Sequence, residues 1–133
     1  MKKICTYLQH EVVEIEGVKI FGSPYVNADY QMGFTYPDED GDKVHLPEEI
    51  DILVTHCPPF GVCDVTHKEY HVGCKYLKEA VDLVKPKVHI FGHIHESAGN
   101  VMMGSTHFYN VAFVDEQYTV TNLPIIIDLE LNK

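Results

Sequence analysis

His93 and His95, in Gly92-His93-Ile94-His95, lie two positions apart, and in extended backbone such residues point to the same side. Two imidazoles presented together, joined by a third from elsewhere in the chain, form a nitrogen donor set suited to zinc, manganese or iron. The third candidate is His56, which follows the apolar run Ile52-Leu53-Val54-Thr55 and precedes Cys57-Pro58-Pro59. Two half-exposed histidines on a loop have the same spacing. His56 taken alone reads more simply as a strand-end residue satisfied by a backbone hydrogen bond. Position in the fold must separate these readings.

The surrounding elements supply that position. Asp51-Ile52-Leu53-Val54-Thr55 has the length and composition of a buried strand. Between Gly73-Cys74 and Lys85-Pro86, residues Cys74, Leu77, Ala80, Val81 and Val84 recur at helical spacing on one face, and Pro86 sits where a helix stop belongs. Lys87-Val88-His89-Ile90-Phe91 forms a second apolar strand that ends at Gly92. Strand, helix, strand is a βαβ unit with parallel strands, and ligands in such sheets gather outside the carboxyl ends of the strands. His56 would therefore meet His93 and His95 at one sheet edge. Ile94 is expected to turn into the core, and Gly92 to permit a tight turn or a close backbone approach.

The other elements complete an α/β class. Val12 to Ser23 reads as a hairpin turning at Glu16-Gly17, Thr106 to Phe113 and Pro124 to Leu131 as two further strands, and Tyr25 to Leu46 as a long loop. The acidic run at 38–42 lacks the spacing of a calcium loop and reads as solvated. His89, inside a strand, reads as a core or hydrogen-bonded histidine, and Cys57 as a small buried residue, with a soft zinc ligand as its alternative. His10, His45, His67, His71 and His107 receive no role.

The chain has 133 residues, suited to one domain, and 20 acidic against 10 basic residues give a formal charge of −10. That balance disfavours nucleic acid and anionic membrane surfaces as partners. No apolar run is long enough to span a bilayer. Four cysteines without a CxxC pair, and no secretory leader at Met1, point to reduced thiols and a cytoplasmic protein.

Longer motifs carry a family resemblance. Ile52-Leu53-Val54-Thr55-His56-Cys57-Pro58-Pro59 and His89-Ile90-Phe91-Gly92-His93-Ile94-His95-Glu96 resemble two blocks of the calcineurin-like metallophosphoesterases. Tyr7-Leu8-Gln9, Lys19 to Pro24, Val72-Gly73-Cys74 and Asn122 to Leu129 are similar to the small brain-type subgroup that acts on cyclic nucleotides. The resemblance implies that residues 1–133 are a single partial domain, the C-terminal half of a sheet sandwich flanked by helices.

It further implies that His56 and His93 bind one divalent metal (Mn, Fe or Zn) and His95 a second. Such a pair hydrolyses phosphomonoesters or diesters through a bridging hydroxide. The family's Asp-x-His and Gly-Asn-His motifs do not occur in this sequence, and Gly41-Asp42 comes after the hairpin rather than before it. The expectation is a half-site that is inactive alone, completed by a separate N-terminal half chain or associating as a homodimer, with a small phosphoester as substrate once complemented. The alternative is a non-catalytic binding or oligomerisation module with at most one zinc on its three histidines. No residue is assigned a catalytic role.

Overall fold

The computed structural model describes residues 4–27, 34–36 and 44–129. Strands β1 (Glu11–Ile15) and β2 (Val18–Ser23) pair antiparallel, with Ile15 opposite Val18. Glu16 and Gly17 at their turn both have positive φ, 52° and 83°, the mirror-image geometry whose twist suits a two-residue hairpin. Strands β3 (Val26–Asn27) and β4 (Thr35–Tyr36) form a separate parallel pair within the stretch read as a loop. The acidic run at 38–42 lies outside the described residues.

The βαβ unit is present as expected: β5 (Ile52–Thr55), α1 (Lys75–Val84) and β6 (Val88–Phe91), with the two strands parallel and Ile52 opposite Val88. The Cys74 thiol caps the first turn of α1, accepting from the Leu77 N–H at 3.4 Å. Leu77 and Val81 carry its buried face. Lys85 ends the helix in the left-handed conformation, its N–H donating to the Val81 carbonyl at 2.8 Å, and Pro86 cannot continue the ladder.

Beyond β6 the chain departs from expectation. Strand β7 (Gly99–Met103) pairs antiparallel with β8 (Thr106–Asn110), and β8 lies parallel to β6. Gly-Asn-Val-Met-Met carries no alternation that would announce a strand; its place comes from the hairpin turn, where Gly104 has φ +60°. The strand expected over Thr106 to Phe113 stops at Asn110, and Pro124 to Leu129 forms none. The apolar triplet there is open to solvent at Ile126, 89% exposed. The strand that precedes this segment, β8, is already paired on both sides, by β6 and β7.

The six-stranded sheet runs β1-β2-β5-β6-β8-β7, its four central strands parallel and its two edge strands antiparallel to their neighbours. Phe21, Leu53, Phe91 and Phe108 pack with Leu77 and Val81 in one core on the α1 side. The opposite face has no helix among the described residues, leaving Val54 37% exposed and Ile20, Ile52 and Ile90 half-buried. Parallel sheets are ordinarily covered on both faces.

Candidate metal centre

At the end of β5 the chain turns outward through His56. Thr55 is buried, and its hydroxyl donates to the Cys57 carbonyl at 2.8 Å, bridging over His56. The Gly92 N–H donates to the His56 carbonyl at 3.1 Å, tying the end of β5 to the end of β6. Pro58 and Pro59 are fully buried, and Cys74 holds them in place: its N–H donates to the Pro58 carbonyl and its carbonyl accepts from Phe60, each at 3.0 Å. A Cβ on Gly73 would lie 2.6 Å from the Pro59 carbonyl group. Backbone there cannot yield, so glycine is required for the approach.

After β6 the route differs from the extended Gly-His-x-His that spacing implies. The Ile94 N–H donates back to the Gly92 carbonyl at 2.9 Å, and His93 between them has φ +72°. This is a three-residue turn of the rare, strained kind. Gly92 is not the residue with positive φ, and a Cβ on it would meet nothing closer than 4.0 Å. From His95 to Ser97 the chain forms a single 3-10 turn. The i, i+2 argument for the two rings therefore fails, because strand geometry ends before His93. Ile94 is buried as expected, at 7% exposure.

The turn brings His93 to His56 instead. His56 Nε2 and His93 Nδ1 lie 3.2 Å apart. Two ligand nitrogens on one tetrahedral ion at about 2.0–2.1 Å would be separated by roughly 3.3 Å, so the donor set and spacing fit a shared divalent metal. Burial, and then the proximity of His56 and His95, hold the His93 pKa below its ordinary value, favouring the neutral ring a metal needs. His95 Nδ1 lies 2.8 Å from the Asp115 carbonyl, to which it donates, leaving Nε2 as the free donor. A ring nitrogen tied to a backbone carbonyl is the usual support of a metal-binding histidine. His95 does not join the other two in a compact set, since no group with all three has ligand atoms within 4.8 Å of one another among the described residues.

The group that does meet that spacing is His67, Glu96 and Glu116, none of which the sequence marked. His67 Nδ1 lies 2.7 Å from Glu116 Oε1 and 3.2 Å from Glu96 Oε1. Hydrogen bonds from its own N–H and from His67 keep the Glu96 carboxyl below the usual range. The three come from separate segments, so nothing in local spacing could have joined them. They can hold a cation, and as they stand the two carboxylates converge on the His67 ring beside His95. Cys57 does not face the histidines; it is buried beside Cys74 and Leu77, its thiol 3.8 Å from the Tyr25 carbonyl. His89 is wholly buried, as its place in the strand implied.

No family model matches the chain. It is 42% identical over 130 residues to metallophosphoesterase domain-containing protein 1 of Homo sapiens, and as similar to that of Mus musculus, covering 94% of this chain and 40% of each relative. It is 34% identical over 142 residues to a UPF0046 protein of Caenorhabditis elegans, covering 96% of this chain and 48% of that one. A solved crystal structure superposes with a TM-score of 0.58 at 20% identity, over 79% of this chain and 45% of the other, a likeness of fold. The chain thus spans less than half the length of these relatives.

Proposed function

Because this chain belongs with the metallophosphoesterases, matching about two fifths of the length of its human relative, we propose that it supplies the histidine side of a metal-dependent phosphoesterase centre. The observation that carries this reading is the approach of His56 Nε2 to His93 Nδ1 at the carboxyl ends of adjacent parallel strands. His56 and His93 would hold one divalent ion and His95 Nε2 a second. Bound metals would supply polarisation of a phosphoryl oxygen and activation of water as nucleophile.

The chain's own residues set the rest. The strained turn aims His93, the Asp115 carbonyl fixes the orientation of His95, and burial lowers the His93 pKa and so favours its neutral ring. No carboxylate joins His56, His93 or His95 in a compact group of ligand atoms among the described residues, and two cations close together need one to offset their repulsion. The segment alone is therefore inactive on phosphodiesters. The sheet face away from α1 would seat the part of the relatives' length that this chain does not match, which would bring the missing carboxylates. The rival reading, a non-catalytic module, draws on the lack of a carboxylate grouped with these histidines among the described residues, while the separation of His95 from the other two rings disfavours its single three-histidine zinc.

Zinc and manganese titrations with counted stoichiometry test both. One ion per chain, weakened by His93→Ala but not by His95→Ala, with no turnover of a chromogenic phosphodiester, is the expected result, whereas a single zinc weakened alike by His56→Ala, His93→Ala and His95→Ala would favour the rival. No binding by the wild type sinks the metal reading, and sustained turnover lost in His93→Ala sinks the claim of incompetence. Sedimentation tests the uncovered face. Self-association at micromolar concentration is expected from the bared apolar surface, whereas a stable monomer with a high melting temperature would show that the face needs no cover.

A further inference from the structure

His89 has a hydrogen-bonding account that its burial makes decisive. It is 0% exposed, with its ring between Phe91 and Phe108 at centroid distances of 4.9 and 5.7 Å. Its Nε2 lies 2.9 Å from Thr55 Oγ1, and its Nδ1 is buried with no partner. Thr55 has one hydroxyl proton. If that proton goes to the Cys57 carbonyl, 2.8 Å away, then His89 must donate Nε2–H to Oγ1. Two bonds are made and one lone pair is left over. If the proton goes to His89 instead, one bond is made, Nδ1–H becomes a buried orphan donor, and the Cys57 carbonyl loses this partner. Orphan buried donors are the rarer and costlier defect, so the first arrangement wins and fixes the tautomer.

A phenylalanine would fill the same site without leaving an orphan nitrogen. What it could not do is donate to Thr55. The relay from His89 through the Thr55 hydroxyl ends on the Cys57 carbonyl, directly after His56, while the Gly92 N–H holds the His56 carbonyl from the other strand. We propose that His89 is a positioning residue for the candidate centre: through Thr55 and the Cys57 carbonyl it fixes the turn from which His56 meets His93. The inference rests on reading His56 and His93 as one ligand pair, and it adds a core residue that touches neither ring.

Imidazole Cε1–H resonances of the metal-free chain test it, beside zinc titrations of the same samples. In Thr55→Val and His89→Phe the resonances of His56 and His93 should move. Those of His107, held by Asn100 and Tyr109, should stay. Zinc affinity should fall about 10-fold, as for loss of an outer support to a metal ligand. Thr55→Ser keeps the hydroxyl and should match wild type. The double variant should lose no more than either single one, because both break the same relay. Resonances of His56 and His93 that coincide with wild type in Thr55→Val, or that move no more than His107, overturn the proposal. Should His89→Phe not fold, Thr55→Val decides alone. Failure of wild type to bind zinc would remove the metal reading, while the ring resonances would still decide the role of His89.

Discussion

As the pH falls from 6.5 toward 4, the His89→Phe variant keeps stability that the wild type loses, and by pH 4 the gap contributed by this residue is about 3 kcal/mol. Burial lowers the His89 pKa from 6.5 to about 3, because protonation would place a charge among Phe91 and Phe108 and give Nδ1 a proton with no acceptor. The unfolded chain takes up the proton near pH 6.5 and the folded chain does not. Between those two values the unfolded state binds more protons, so stability is complete above pH 6.5 and falls by on the order of 1 kcal/mol per pH unit below it.

The other groups with lowered values do not confuse this comparison. His10 and His93 also contribute below pH 6.5, and Glu49, Asp51 and Glu96 below the carboxylate range, but both proteins share them. At pH 7 the variant loses one hydrogen bond to Thr55 and gains a site without an orphan nitrogen, so the two should agree within about 1–2 kcal/mol. Urea unfolding at pH 7, 6, 5 and 4 measures the difference. Parallel curves would mean that His89 is protonated in the folded state, and the orphan Nδ1 account would fail.

The part of the site visible in the sequence is the part that strand ends fix. The apolar runs 52–55 and 88–91 with a helix between them place His56 beside the Gly92-His93 segment, and that much needs only the crossover rule. What was hidden depends on partners distant in sequence. The i, i+2 pattern of His93 and His95 looks like strand periodicity, but the Ile94-to-Gly92 hydrogen bond ends the strand and turns His93 toward His56. Strand β7 is specified by its hairpin with β8 rather than by its own residues, and the apolar triplet at 125–127, conspicuous in the sequence, pairs with no strand among the described residues. His67 reaches Glu96 and Glu116 from a loop, 58–74, that docks on the turn after β6 through Ser97 Oγ to the Val65 carbonyl at 2.6 Å and on the end of β8 through Asn110 Nδ2 to the Cys63 carbonyl at 3.0 Å.

That docking depends on a carboxylate the sequence did not distinguish, and replacing it carries the second large effect: Asp64→Ala should lower stability by about 3 kcal/mol or more. Asp64 is 0% exposed. Its Oδ2 accepts from the Gly61 and Gly73 N–H groups, both at 2.9 Å, and its Oδ1 from His71 Nδ1 at 2.6 Å. Alanine would strand two backbone donors at the point where Gly73 must pass within contact of Pro59, and would open a cavity as well. Asparagine is the informative control. Its carbonyl oxygen can accept both glycine donors and its amide can donate to the other tautomer of His71, so a loss nearer 1 kcal/mol is expected. Because the loop carries Val65 and His67 against the turn that begins at His95, Asp64→Ala should also broaden the His95 ring resonance, and Asp64→Asn should not. Urea unfolding at pH 7 checks the energies. A loss below about 1 kcal/mol in Asp64→Ala would mean that the loop keeps its shape without the carboxylate, and the link from Asp64 to the histidine edge would then be lost.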